Sequence, residues 1–237
     1  MIIKDYPAIF LKEEKCLVIA ELHLGIEHEL FNSGIVIPSQ AKKFAEMINN
    51  LIRKTKAKKL VILGDIKHKV PGISLRERYE IPKFFSYLKK IKVILIKGNH
   101  DANLERILPK FKIFKEYKFN DFGFFHGHSW PTKKLMSCKY LFTSHLHPCI
   151  EISSGGSKIL RRVWIKTKID FEKVKKKYKL KGLRTNLIIL PAFNPLVGGF
   201  PINKEFEKMS GVLKKFISKK NCDFFLLDGT FLGNLFF

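Results

Sequence analysis

The stretch Val93-Ile94-Leu95-Ile96-Lys97-Gly98-Asn99-His100-Asp101 decides the fold. Its apolar run is a buried strand. A Gly for a tight turn follows, then an amide, an imidazole and a carboxylate in succession, and a helix-like stretch from Ala102 to Leu108. An amide oxygen can ligate a hard metal, an imidazole can donate a proton, and a carboxylate beside it can fix the ring's tautomer. The same grammar recurs upstream. Cys16 to Ala20 ends at Glu21-Leu22-His23-Leu24-Gly25, and Leu60 to Leu63 ends at Gly64-Asp65-Ile66-Lys67-His68. Between them a helix starts at Pro38 and Ser39, with Ser39 as N-cap and Phe44, Ala45, Ile48, Leu51 and Ile52 as its core face. A charged helix is expected from about Leu75 to Lys90. This βαβα rhythm, with polar residues at the C-terminal strand ends, predicts an α/β fold whose site lies along that edge.

Downstream the pattern changes to strands. Phe122 to Phe125 leads into His126-Gly127-His128, and Tyr140 to Thr143 leads into Ser144-His145-Leu146-His147-Pro148. Ile159 to Lys166 and Asn186 to Pro191 are further strands, and Gly155-Gly156-Ser157 is a hairpin turn. Ala8 to Leu11 forms a hairpin with Cys16 to Ala20. Asp170 to Lys181 reads as a solvated helix or loop, Ala192 to Pro201 as a loop that could border a cleft, and Phe224 to Phe237 as buried strand and turn. With no repeat or long linker, residues 1–237 read as a single domain, the motifs lying within 21–147 and residues 148–237 completing a second sheet.

An apolar content of 46% excludes a disordered chain. No run approaches the ~20 apolar residues of a membrane span, so no membrane partner is expected. Nor does the start have the layout of a signal peptide. The cysteines, at 16, 138, 149 and 222, form no CxxC pair, which argues against a zinc ribbon or a thioredoxin motif. Cys16 and Cys222 read as core thiols and the cytoplasm as the compartment. Lys and Arg number 45 against 21 Asp and Glu, a formal net charge of +24, which favours a nucleic-acid partner.

The chain has eight histidines, at 23, 28, 68, 100, 126, 128, 145 and 147. All but His28, which reads as an ordinary helix-surface residue, stand in short motifs directly after apolar strands. One such histidine is more often structural than functional. Seven, accompanied by Asp65, Asn99 and Asp101, point to a metal site. Carboxylate, amide oxygen and imidazole together suit Mn²⁺, Fe or Zn²⁺, and the lack of cysteine ligands argues against structural zinc. The donors exceed what one tetrahedral ion can use. Two ions sharing a bridging carboxylate fit better, and such pairs serve the hydrolysis of phosphate esters. The chain has no HExxH, Walker A or GxSxG motif.

Glu21-x-His23, Gly64-Asp65-x-x-His68, Gly98-Asn99-His100-Asp101, His126-Gly127-His128 and His145-x-His147 resemble, in that order, the motifs of the calcineurin-like metallophosphoesterases. Longer segments, among them Ser33-Gly34-Ile35-Val36-Ile37-Pro38 and Leu190-Pro191-Ala192-Phe193, resemble a narrower branch, the SbcD-related archaeal phosphoesterases and the PdeM-type enzymes associated with DNA ligase. The resemblance implies a four-layer α/β/β/α sandwich. It implies one metal held by Glu21, His23, Asp65 and His147, and a second held by Asp65, Asn99, His126 and His145. Mn²⁺ is the expected ion, with Fe, Zn²⁺, Ni²⁺ or Mg²⁺ as alternatives. His100 would contact the phosphate and protonate the leaving oxygen, Asp101 would hold its ring, and His68 would lie near the scissile phosphate. His128 would support the ligands rather than join them.

Two positions depart from the family. Glu21 stands where Asp is usual, and Ser144 where Gly is usual; a Ser is tolerated there unless φ must be positive. Three readings stay open. The first is a nuclease or phosphodiesterase on DNA or RNA, related to repair, with a helicase or ligase partner and a homo-oligomer as further expectations. The second is a phosphoesterase for cyclic nucleotides or nucleotide polyphosphates. The third is a nucleic-acid-binding protein in which Glu21 has weakened catalysis.

Overall fold

The structure is a computed structural model and describes residues 2–236 except 180, 181, 183 and 184. Two sheets form its centre. The first runs β1 (Ile9–Leu11), β2 (Cys16–Ala20), β3 (Lys59–Leu63), β4 (Lys92–Ile96) and β5 (Ile113–Phe114) in that spatial order. β1 is antiparallel to β2, and the remaining pairs are parallel. The second sheet contains β6 (Glu116–Phe119), β7 (Phe122–Phe125), β8 (Tyr140–Thr143), β9 (Pro148–Ser154), β10 (Ser157–Ile169), β11 (Asn186–Ile189), β12 (Phe200–Pro201), β13 (Ile217–Leu226) and β14 (Phe231–Gly233). Its order is β12-β9-β10-β11-β8-β7-β6, with β13 added to β10 and β14 to β13.

Side-chain alternation along the strands builds the layers. On β2, Leu17 and Ile19 face one way while Cys16, Val18 and Ala20 face the other. Leu60, Ile62 and Leu95 join the first group, and Val61, Leu63, Ile94 and Ile96 the second. The first group packs on α2 (Ala41–Thr55) and α3 (Leu75–Tyr87), the second on Phe124, Phe142, Trp164 and Leu190 of the other sheet. The far face of that sheet carries Leu141, Val163, Ile165 and Leu187 and packs on α4 (Phe171–Tyr178), α5 (Ile202–Glu205) and α6 (Gly211–Phe216). The result is the helix/sheet/sheet/helix sandwich that the motifs imply. Strands buried on both faces read as unbroken apolar runs, as β2 and β3 do. Each fully buried Phe between the sheets contributes about 1.5–3 kcal/mol.

Several boundaries differ from the expectation. A short helix, α1 (Ile26–Asn32), leaves the first motif, and His28 is exposed on it. Gln40 rather than Ser39 stands at the N-cap position of α2 and makes no side-chain cap; the Ser39 hydroxyl accepts the Ala41 N–H at 3.4 Å and the Glu27 carboxylate accepts the Gln40 N–H at 2.7 Å. The helix expected over Ala102 to Leu108 is a single 3-10 turn, Leu104–Arg106. Asn103 before it is left-handed (φ 62°), which blocks a continuous helix. Lys-rich α4 stops at Tyr178, and Lys181 lies outside the described residues, as does Phe237. All four cysteines are free and buried. Among the described residues no helix is long and apolar enough to cross a membrane.

Candidate metal centre

The parallel pairing of β2, β3 and β4 continues past the strands and ties the motif loops together. Glu21 N–H donates to Gly64 O (3.3 Å), His23 N–H to Asp65 O (2.8 Å), Leu24 N–H to Ile66 O (2.8 Å) and Gly64 N–H to Ile96 O (2.9 Å). The second sheet joins at Ser144, whose hydroxyl donates to Leu63 O at 2.8 Å. Ser144 is absent from the positive-φ residues, so the hydroxyl adds a tie between the sheets without backbone strain.

Five candidate ligands lie in the left-handed region that L-residues avoid: Glu21 (φ 59°), His23 (42°), Asp65 (43°), His145 (61°) and His147 (46°). Each such residue costs on the order of 1–3 kcal/mol, and strain of this kind gathers at functional sites. The turns aim the side chains back over the sheet edge. One atom from each of Glu21, His23, Asp65 and His147 falls within 4.8 Å of the others, as does one from each of Asp65, His126 and His145. Asp65 belongs to both groups. Of the ligands expected from the motifs, these two groups bring together all but Asn99, which is exposed on the turn after Gly98. A third convergence, His23, His68 and His100, adjoins the first.

The ring nitrogens are sorted. His23 Nδ1 faces His68 Nδ1 (3.2 Å), His126 Nδ1 faces His128 Nδ1 (2.9 Å), and His147 Nδ1 donates to Gly198 O (3.1 Å). In all three rings Nε2 is left pointing into the centre. Outer partners that hold one nitrogen and orient the other are what metal-ligating histidines require. His128 is thus the residue that contacts the outward nitrogen of His126.

Glu21 occupies the middle of the cluster and is fully buried. Its Oε2 accepts from His23 Nε2 (3.0 Å) and His147 Nε2 (2.8 Å), and its Oε1 from His126 Nε2 (2.9 Å) and the His145 N–H (2.6 Å). Burial pushes this carboxyl up, but His147 and His126 outweigh it and hold Glu21 well below the usual carboxylate range. Burial, with the nearby Glu21 charge, raises Asp65 to about 7. Burial likewise drives His23 and His145 down to about 4. For His126 and His147 burial is outweighed by Glu21, with its hydrogen bond and charge, and both are raised. Buried carboxylates and imidazoles packed this closely suit divalent cations, which would replace the protons that now hold the cluster together.

Asp101 corrects the expectation placed on it. Its carboxylate does not hold the His100 ring. Oδ1 accepts the Ile66 and Lys67 N–H groups (2.8 and 3.1 Å) and Oδ2 the Gly98 N–H (2.8 Å). A carboxylate buried under the loops satisfies backbone donors that water cannot reach. The His100 ring is instead held by the His68 carbonyl, which lies 2.5 Å from Nδ1, and it stacks on the His68 ring with centroids 5.7 Å apart. His68 Nε2 pairs with Glu29 at 2.7 Å. Gly98 also has a purpose beyond the turn, since a Cβ there would stand 2.0 Å from Asp65 Oδ1.

Sequence reasoning missed Glu29 and Glu77. Glu77 accepts the His68 and Lys69 N–H groups (3.0 and 2.7 Å) while closing a capping box with Ser74. The Ser74-Leu75-Arg76-Glu77 spacing is a legible signal for that box. Nothing in the sequence brings Glu29 to His68.

The calcineurin-like phosphoesterase family model matches residues 15–196. The crystal structure of Pseudomonas putida nuclease MPE superposes with a TM-score of 0.52 at 19% identity, covering 82% of this chain and 81% of that one. Vacuolar protein sorting 29 from Cryptosporidium parvum gives a TM-score of 0.32 at 15% identity, over 61% of this chain and 71% of that one. No curated protein matches the sequence. With the family model spanning every strand-end motif from Glu21 to His147, the chain belongs to the calcineurin-like phosphoesterases and is a metal-dependent phosphoesterase.

Proposed function

We propose that the protein is a dinuclear phosphodiesterase acting on DNA or RNA, in the SbcD-like branch that its longer motif segments resemble. The observation that carries the reading is the pair of carboxylate–histidine groups sharing Asp65. The net charge of +24 and the fold shared with a nuclease favour a polyanionic substrate. Glu21, His23, Asp65 and His147 would hold one ion, and Asp65, Asn99, His126 and His145 the other, with Mn²⁺ suited to this oxygen and nitrogen donor set. When bound, the ions supply Lewis acidity at the phosphoryl oxygens and lower the pKa of water beside them.

The protein's own residues contribute position and a proton. A carbonyl acceptor at Nδ1 requires that nitrogen of His100 to carry hydrogen, so Nε2 is the nitrogen left for the substrate. Protonated, Nε2 donates to a phosphate oxygen or to the leaving oxygen. The stacked His68 ring fixes the plane of His100, and Glu29 holds His68 in turn through its Nε2 at 2.7 Å.

Hydrolysis of bis-p-nitrophenyl phosphate with added Mn²⁺ tests the chemistry. The wild-type chain should turn over and Asp65→Asn should lose at least 100-fold, as expected when a shared metal ligand is removed. An inert wild-type chain with every divalent ion tried would falsify the reading. A panel of single-stranded DNA, duplex DNA, cyclic nucleotides and mononucleotides at matched metal then separates a nuclease from a small-molecule phosphoesterase.

A further inference from the structure

The loop after His68 links a buried carboxylate to the His100 ring. Glu77, in the first turn of α3, is only 1% exposed. Its Oε1 accepts the Lys69 N–H at 2.7 Å. The carbonyl of that same peptide unit, His68 O, is the group that holds His100 Nδ1 at 2.5 Å. A trans peptide unit is planar and points its N–H and C=O to opposite sides. Glu77 and His100 therefore stand at the two ends of one hydrogen-bonded line: carboxylate, N–H, C=O, imidazole. Hydrogen bonds in such a chain polarise one another, and an ionised member makes the strongest of them.

The carboxylate is firmly seated. Oε1 also accepts the His68 N–H (3.0 Å), and Oε2 accepts the Ser74 N–H (2.7 Å) and the Ser74 hydroxyl (2.9 Å). All four partners are donors, the pattern of a group that only accepts. Gly25, at the end of the first motif, makes room for it, since a Cβ there would stand 2.7 Å from Glu77 Cγ. A capping box uses only the Ser74 contacts, so the reach to the Lys69 N–H is additional. Asp101, next to His100 in the chain, is engaged by the Ile66, Lys67 and Gly98 N–H groups. Glu77 thus takes, through a peptide, the part that a carboxylate beside the ring would play.

We propose that Glu77 is a positioning residue for the phosphodiesterase reaction, acting on His100 through the His68–Lys69 peptide. The inference rests on the phosphodiesterase reading and adds to it the group that fixes its proton donor. The carboxylate strengthens the His68 carbonyl as an acceptor, holds hydrogen on His100 Nδ1 and keeps Nε2 turned to the substrate.

The test is a double-mutant cycle on the full chain, with bis-p-nitrophenyl phosphate and Mn²⁺. Glu77→Gln keeps the shape and the capping box but removes the charge. It should lower kcat about tenfold, part of the roughly 10²–10⁴-fold that a positioned proton donor supplies. KM and bound metal per chain should stay at wild-type values. In the His100→Asn background the same substitution should change kcat by less than about twofold, because residues that act through one another do not add. Ser74→Ala weakens the helix start but leaves the Lys69 contact, so it should cost stability and keep kcat within about twofold of wild type. An equal loss from Glu77→Gln in both backgrounds, or no loss in either, overturns the relay and leaves the phosphodiesterase reading intact. The ring gives a second readout that needs no turnover. In the long-range proton–nitrogen spectrum of the full chain, His100 Nδ1 should carry the hydrogen, and that proton should move upfield in Glu77→Gln and stay in place in Ser74→Ala. If Glu77→Gln fails to fold, the wild-type spectrum decides alone, since hydrogen on Nε2 with a bare Nδ1 overturns the relay. A wild-type chain inert with every divalent ion ends the phosphodiesterase reading and the relay with it, an outcome read before any variant is made.

Discussion

Glu21 carries one methylene more than the Asp usual at its position, and the structure shows where the added reach goes. The carboxylate stands between two histidine groups and takes four hydrogen bonds, two on each oxygen. Glu21→Asp withdraws it by about one bond length and leaves buried donors at His126 and His145 without an acceptor. The metal-free chain should lose about 1–3 kcal/mol of stability, the cost of buried unsatisfied groups, read by urea unfolding in chelator. An unchanged midpoint would mean that Asp serves equally well and that the longer side chain is incidental. His100 is of another kind. Its Nδ1 is engaged by the His68 carbonyl, and it stands outside both groups that contain Asp65. His100→Asn should lower turnover 10²–10⁴-fold while bound metal per chain stays as in wild type. Equal losses of metal and rate would instead place His100 among the ligands.

Elements are held in register by residues that never face the substrate. Asp101 joins the β3 and β4 loops through three backbone N–H groups, and Ser144 ties the second sheet to Leu63. Replacing Ser144 by Ala removes one buried hydrogen bond and leaves the Leu63 carbonyl without this donor, so a loss of about 1 kcal/mol is expected in denaturant unfolding. Gly98→Ala would press a Cβ onto Asp65, on its backbone nitrogen (2.4 Å) as well as on Oδ1. The strand can stay folded, but the shared carboxylate must move. Metal affinity should fall by about 10–100-fold, as when an outer support is lost, which equilibrium dialysis would show. The same element-scale view explains the left-handed turns. Parallel strands end on one edge, and only a sharp reversal brings consecutive motif side chains onto a common point above it.

Across the whole molecule the cluster couples protons to metal. Ligands must be unprotonated to bind an ion. His126 and His147 have raised pKa values, and Asp65 stands at about 7, so in the metal-free protein all three retain protons to higher pH than free side chains do. His23 and His145, at about 4, are already neutral there. Every proton still to be released works in one direction, so metal affinity should climb as pH rises through 7. Titration calorimetry in two buffers of different ionisation heat would show proton release at pH 6.5 exceeding that at pH 8. A flat affinity across this range would contradict the raised groups. Metal that binds only the folded chain should also raise its stability, by about 2.7 kcal/mol per ion at a hundredfold excess over Kd.

The sequence by itself determined the edge on which the site is built. Apolar runs that stop at Glu21, Asp65, Asn99, His126 and His145 can be read without coordinates, because strand burial and strand-end chemistry are both local patterns. The strands flanking these motifs, the core face of α2, the charged helix α3 and the hairpin at Gly155-Gly156 follow from the same short-range rules. What only the tertiary structure decided concerns partners far apart in the chain. Asp101 proved to bind backbone rather than its neighbour's ring, Glu29 reached His68 and Glu77 capped the His68 turn. Glu21 lay at the centre of the cluster, and Arg162 came to rest on the loop beside His147. The physical reason is that a buried polar group takes whichever donor or acceptor the packing of remote segments leaves open. Propensity and spacing carry no record of that choice.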